Sequence, residues 1–254
     1  MINVLRSEWI KLRTVRMNWI LGIIAFAFPL IVTLLTAFFS GDDSDFTAGT
    51  LLDVLTGTVI VTTLLCGVIT AASITSEFGF GTIRPTFAAV PRRIKVIVGK
   101  GIVGVASSMV LVMLIVAIGA GLGRPLAEGQ GASIDFGEVP TAVPALVGAV
   151  VLAGLMSLAG YGLGLLTRST PAAISILIVW PLIAEGLIGG LISVITGWHN
   201  VFEWMPFNAG IRMVFVNTAD DPGGPSRVIS GLYFGGVVAL LTAVGAFAVN
   251  RRDA

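Results

Sequence analysis

The chain has 254 residues, of which 56% are hydrophobic and 11% charged, where soluble chains carry about 25% charged residues, so a water-soluble globular protein is excluded. Its 32 glycines follow no Gly-X-Y period and sit inside long apolar runs, which excludes collagen and disordered low-complexity sequence. The 15 basic and 14 acidic side chains nearly cancel, so the total says nothing about a nucleic-acid partner, and none is expected of a membrane chain; one cysteine, Cys66, excludes an internal disulfide, and one histidine, His199, leaves too few ligands for a zinc or haem site.

The opening residues Met1 to Asn18 read as an amphipathic interfacial helix. Ile2, Leu5, Trp9 and Leu12 fall within about 80° on a helical wheel, and Arg6, Lys11 and Arg13 lie off that stripe. Arg16 falls on the apolar side, so the helix is expected to turn upward near there. A hydrocarbon core about 30 Å thick needs about 20 apolar residues per helix. Six such windows run roughly from Trp19 to Phe39, Leu51 to Ile74, Ile97 to Leu122, Ala142 to Leu166, Ala172 to Ile195 and Ile229 to Val249. The first exceeds the roughly 7 to 15 residues of a signal-peptide apolar region, and Phe38-Phe39-Ser40 lacks the small residues of a cleavage site, so it is expected to remain as an anchor. The fold class expected is an all-α polytopic membrane protein, with residues 1–18 leading into one membrane domain over 19–254. No loop is long enough for a separate soluble core of about 50 residues, and no repeat of 20 to 50 residues is evident.

Alternating the windows between the two sides gathers Arg6, Lys11, Arg13, Arg16, Arg84, Arg92, Arg93, Lys95, Lys100, Arg168, Arg251 and Arg252 on one side. Arg124, Arg212 and Arg227 fall opposite. That asymmetry predicts both termini in the cytoplasm, with the plasma membrane as the location. Asp42, Asp43 and Asp45 then mark the first outer loop, and Asp220 with Asp221 the last.

In lipid, helices associate through small residues rather than through apolar burial. Gly231, Gly235, Ala239 and Ala243 make one ladder, Ala149, Ala153 and Ser157 a second, and Gly160 with Gly164 a third. These faces are expected to meet other helices, within the chain or across a dimer seam. Pro29 and Pro181 interrupt the helical hydrogen bonding of the first and fifth spans. Trp198, Phe202, Trp204 and Phe207 cluster where aromatic rings meet headgroups. The stretch around them, to Val216, reads as either a short helix on the outer leaflet or a re-entrant hairpin. Glu185 is the principal ionisable residue inside a span. It is either hydrogen-bonded between helices or lining a translocation or gating path, with Pro181 beside it. Asp53 reads as a solvated boundary charge, His199 as a loop residue and Cys66 as a small buried group.

The stretch Thr75 to Arg93 between the second and third spans carries Pro85 and Pro91 bracketing a short segment, whose Phe87 and Val90 give it an apolar side able to dock into a groove. Glu77, with Arg84, Arg92 and Arg93 nearby in sequence, is expected to form an ion-pair network there. The pattern Ser76-Glu77, Gly81-Thr82-Ile83-Arg84, Ala88-Ala89-Val90-Pro91-Arg92-Arg93 and Lys100 resembles the permease subunits of ABC-2 type transporters. So do Ser7-Glu8-Trp9-Ile10-Lys11-Leu12-Arg13, Pro181 with Glu185, and Trp204-Met205-Pro206.

The resemblance implies that residues 1–18 form a cytoplasmic connecting helix, with Leu5, Trp9, Leu12 and Arg13 in it, and that a coupling helix lies between spans two and three. It also implies a pair of permeases driven by two ATP-binding subunits. The coupling surface expected comprises Glu77, Gly81, Thr82, Arg84, Phe87, Arg92 and Arg93. The chain itself has no phosphate loop: Gly99-Lys100 is followed by Gly101 and has Ile94 where the first glycine would stand. ATP with its magnesium is therefore expected on a partner, and no cofactor or metal in this chain. The function expected is a non-catalytic permease of an ATP-driven exporter for an amphipathic substrate such as a drug, antibiotic or lipid, paired with itself or a close relative. The alternative is a proton- or ion-coupled carrier titrating Glu185.

Overall fold

The computed structural model describes residues 2–40, 46–83, 85, 93–216 and 224–252. Its helices are α1 (Ile2–Thr14), α2 (Arg16–Phe38), α3 (Ala48–Gly79), α4 (Arg93–Glu128), α5 (Ala142–Thr167), α6 (Thr170–Val179), α7 (Glu185–Thr196), α8 (Pro206–Arg212) and α9 (Arg227–Arg252). A π-turn over Trp180–Ala184 joins α6 to α7, so Thr170–Thr196 acts as one span. Among the described residues, six helices are long and apolar enough to cross a membrane: α2, α3, α4, α5, this fifth span and α9. The acidic residues expected in outer loops, Asp42, Asp43, Asp45, Asp220 and Asp221, lie outside the described residues.

The spans outrun their hydropathy windows because a helix does not stop at its first charge. The 32 residues of α3 make about 48 Å of helix and the 36 of α4 about 54 Å, against a core of about 30 Å. Both therefore project beyond the apolar layer. The opening helix is shorter than its periodicity implied. Val15 is extended at ψ 116°, so α1 ends at Thr14 and Arg16 opens α2 instead of disturbing the stripe of α1. The Trp19 Nε1–H donates to the Arg13 carbonyl at 2.6 Å across this elbow.

The core lies between α3 and α5, each with 56% of its apolar window buried against 11% for the fifth span. The two backbones touch. A Cβ on Gly160 would overlap the Gly67 carbonyl oxygen, and one on Gly67 would lie 2.8 Å from the Met156 oxygen. Hydroxyls add bonds across the same seams: Thr70 donates to the Ser157 carbonyl at 2.8 Å, and Thr62 ties α3 to the Ala25 carbonyl of α2 at 2.7 Å. This is how helices cohere where apolar burial gives no net drive. Gly160→Val is expected to lower stability by at least about 1–3 kcal/mol, the usual cost of overpacking a filled core. Gly236→Ala, whose Cβ would meet nothing within 4 Å, is expected to leave thermal unfolding in detergent unchanged.

The ladders divide. Ala149, Ala153 and Ser157 are buried, and Gly164 packs against Ile74 and Thr75 of α3. In α9, Gly231 meets the Met213 sulfur and Gly235 meets Leu155. Ala239 and Ala243 instead face a cavity of about 600 Å³ between α4 and α9. The close approach of α9 to α5 occurs at Gly162 and Gly245, where a Cβ on Gly245 would lie 2.9 Å from the Gly162 oxygen.

Ile74, Val96, Ile97, Tyr161, Leu165 and Val249 form one cluster with Val4 packed on it. It gathers α1, the start of α4 and the ends of α3, α5 and α9 at what we call the terminal end. At the opposite, distal end the chain does not lie flat after the fifth span. Gly197, at φ 71°, ends α7, a 3-10 turn over His199–Trp204 follows, and α8 folds back with Ala209, Gly210, Met213 and Val214 buried. Its first turn reaches Glu185, about 16 Å of helix below Thr196. The described part of the segment folds back along α7 onto Glu185, the shape a re-entrant hairpin has.

Candidate functional site

At the terminal end α1 presents Glu8 and Lys11, three residues apart and so on one face. They meet Glu77 in the last turn of α3 and Lys100, which sits in the first third of α4. Glu77 Oε1 accepts from Lys11 Nζ and Lys100 Nζ, each at 2.6 Å, and Lys100 also pairs with Glu8. Lys11 donates further to the Ser73 carbonyl at 3.1 Å. Two acids and two bases alternate in a compact, neutral group whose Glu77 and Lys100 are buried. Helix α1 can come this close because position 99 is glycine, where a Cβ would lie 3.0 Å from Val4 Cγ1. Beside the group is a chamber of about 20 Å³ lined by Thr70, Glu77, Lys100 and Tyr161, room for one water molecule. Among the described residues Glu77 Oε2 has no partner, and the Tyr161 hydroxyl is spent on the Ile97 carbonyl at 2.8 Å.

Among the described residues the partners of Glu77 are lysines, and the arginine network expected around it rests on side chains that lie outside them. The Glu77 carboxylate lies inside the end of α3, on the side facing α1 and α4, where Oε1 takes both lysines. Arg84, Phe87 and Arg92 lie outside the described residues, while Arg93 opens α4. Gly81 and Thr82 are exposed just after α3, and Gly81 takes φ 69°, the left-handed turn that stops the helix and favours glycine. Leu5 packs beside Gly99, and Trp9, Leu12 and Arg13 line a groove toward α3 and α4. Glu8, Lys11 and Lys100 lie outside the coupling residues expected from the sequence, although Glu8 is the only acid before Asp42. A lysine inside an apolar window calls for an acid near it, and that signal was available.

At the distal end, Pro181 has no N–H to give and its ring crowds the preceding turn. The widened π-turn Trp180–Ala184 absorbs both effects. Glu185 follows at once and is fully buried. Its Oε1 accepts from the Phe207 amide at 2.8 Å, and its Oε2 from the Asn208 amide at 3.0 Å and Asn208 Nδ2 at 2.9 Å. Pro206 opens α8, so these amides belong to the first turn, which has no intrahelical partner for them. Glu185 is thus a helix cap supplied by a neighbouring span, and its acceptor sites point at protein donors.

The three arginines that fell opposite the main basic group are each engaged. Arg124 Nε pairs with Glu128 at 2.7 Å, and Arg212 with Glu203 at 2.8 Å. Arg227 donates to the Met213 and Phe215 carbonyls at 3.2 and 2.8 Å. Arg212 and Arg227 tie the distal segment together, whereas the Arg124 pair is exposed and lies within α4. Asp53 and His199 are exposed and Cys66 is buried.

The family described as ABC-2 family transporter protein matches residues 4–184. The chain belongs to the ABC-2 transporter family. It is therefore a multi-pass membrane permease of an ABC transporter. Permeases of this family are generally the non-catalytic transmembrane component and associate with an ABC ATP-binding subunit. The match runs from α1 through the π-turn, includes the whole ionic group, and stops one residue before Glu185. A search of curated proteins returned no match to the permease.

Proposed function

We propose that this permease is the passive transmembrane half of an ATP-driven exporter. Two ATP-binding subunits carrying Mg-ATP sit at its terminal end, and a second permease chain completes the translocation path. The observation that carries the reading is the four-residue ionic group. It joins α1 to the ends of α3 and α4 through buried charges, so a displacement of α1 is passed to two core spans rather than absorbed by a flexible linker. The connecting helix, with Leu5, Trp9, Leu12 and Arg13, and the loop residues Glu77, Gly81, Thr82, Arg84, Phe87, Arg92 and Arg93 then receive the stroke. The one-sided basic residues support cytoplasmic termini in the plasma membrane.

Two further observations bear on assembly and path. The fifth span leaves Ile176, Trp180, Ile183 and Leu187 exposed. A Cβ on Gly186 would meet nothing within 4 Å, and one on Gly190 only the Phe202 ring edge at 3.8 Å. An uncovered four-residue glycine pair of this kind supports pairing with a second chain. Glu185 and Pro181 hold the re-entrant hairpin that closes the distal end of each protomer. The three N–H donors on Glu185 favour that role over a titrating carrier. The substrate class is an amphipathic compound such as a drug, antibiotic or lipid.

The test is reconstitution with the ATP-binding subunit in proteoliposomes. Flux of an amphipathic dye is expected to require ATP, and the triple reversal of Arg84, Arg92 and Arg93 to Glu is expected to cut it at least about tenfold, an interface loss of about 1.4 kcal/mol or more. Flux supported by the permease alone, and abolished by a protonophore, sinks the reading in favour of the carrier.

A further inference from the structure

A groove of about 380 Å³ runs along the inside of the α1–α2 elbow, within the size range of small-molecule sites. Trp9, Leu12 and Arg13 of α1 form its mouth, and α2 lines it from Asn18 to Ala27. From Trp19 to Ala27 is about 12 Å of helix. Half of a hydrocarbon core is about 15 Å, so the groove has the depth of one leaflet.

Its floor is made by α3 and α4, with Thr70, Ser107 and Ser108 among the lining residues. Two of these hydroxyls are already committed: Thr70 Oγ1 donates to the Ser157 carbonyl at 2.8 Å, and Ser107 Oγ to the Gly104 carbonyl at 2.9 Å. A floor with two of its three hydroxyls committed, between walls such as Leu12, Ile23 and Phe26, suits hydrocarbon. The mouth differs. Arg13 lines it and is exposed, as are Arg6 and Arg16 elsewhere on the same two helices, and Glu8, the one acid of α1 and α2, is engaged by Lys100. Trp9 and Trp19 stand half-exposed at the same level, where indoles meet headgroups. The Arg13 guanidinium, exposed above an apolar slot one leaflet deep, complements an anionic lipid.

We propose that this groove binds one phospholipid with an anionic headgroup, its acyl chain between α2 and the α3–α4 floor and its phosphate at Arg13. The bound lipid is a fixed component that wedges the α1–α2 elbow, and the inference requires neither a direction of transport nor an energy source.

Native mass spectrometry of the full chain, purified from membranes of equal phosphatidylglycerol and phosphatidylcholine, tests it. The wild type is expected to retain one phosphatidylglycerol per chain in preference to phosphatidylcholine. A Cβ on Gly22 meets nothing within 4 Å, so Gly22→Leu is expected to fold, occupy the slot and cut retention at least tenfold. Gly236→Leu, at another open glycine away from the groove, is expected to leave retention unchanged. Arg13→Gln, which alters only the mouth, is expected to equalise the two lipids. Equal retention of both lipids by the wild type, undiminished phosphatidylglycerol on Gly22→Leu, or a retained mass that matches no phospholipid overturns the proposal.

Discussion

Replacing Lys100 with Met is expected to destabilise the permease by about 3–5 kcal/mol, the cost of removing one partner from a buried charge group. Glu8 and Glu77 would then share a single base, Lys11, with Glu77 still buried at the end of α3. The double variant Lys100→Met, Glu77→Gln removes one charge of each sign and leaves Glu8 with Lys11, so most of the loss is expected to return. Thermal unfolding in detergent reads both variants. Equal stability of the single variant and the wild type would mean that the group does not hold α1 to the core. In the assembled transporter, the same single variant is expected to continue hydrolysing ATP while carrying less substrate per ATP, because α1 has lost its grip on α3 and α4.

Removing the carboxylate of Glu185 acts at the other end. Glu185→Ala leaves the part-buried amides of Phe207 and Asn208 without acceptors, at up to about 1–3 kcal/mol each. The loss is expected to be local. Hydrogen exchange of residues 199–214 should quicken by at least about tenfold, since 1.4 kcal/mol is a factor of ten, while amides in α3 and α5 keep their protection. Glu185→Gln, which keeps one acceptor oxygen and turns an N–H₂ toward N–H donors, should fall between. Unchanged exchange in both variants would remove Glu185 as the cap of α8. An ion-dependent flux lost in Glu185→Gln, with exchange in the hairpin unaltered, would return it to the carrier role.

The two expectations concern groups of different legibility. Glu185 was conspicuous as a charge inside an apolar window, and so was the chance that it served a structural bond. Its partners were not, because backbone amides leave no mark in composition; only the fold-back of α8 after Gly197 brings them within reach. The ionic group is the converse case. All four side chains are visible in the sequence, yet their bonds join residues 23, 66 and 92 positions apart, and nothing local pairs Glu77 with Lys11 and Lys100. The small-residue ladders show the same division. Gly160 and Gly164 are buried against α3, whereas Ala239 and Ala243 border an open cavity, although their spacing is alike.

The sequence by itself determined the six spans and the family. Each of these is local in the chain: a lipid-embedded segment must satisfy its backbone within its own helix, so length and hydropathy suffice to find it. Only the tertiary structure decided that α3 and α5 form the core, that α1 is held by alternating charges, and that the distal segment turns inward onto Glu185. Those outcomes depend on which surfaces come together, and in a membrane that choice rests on close backbone approach and individual hydrogen bonds between segments far apart in sequence.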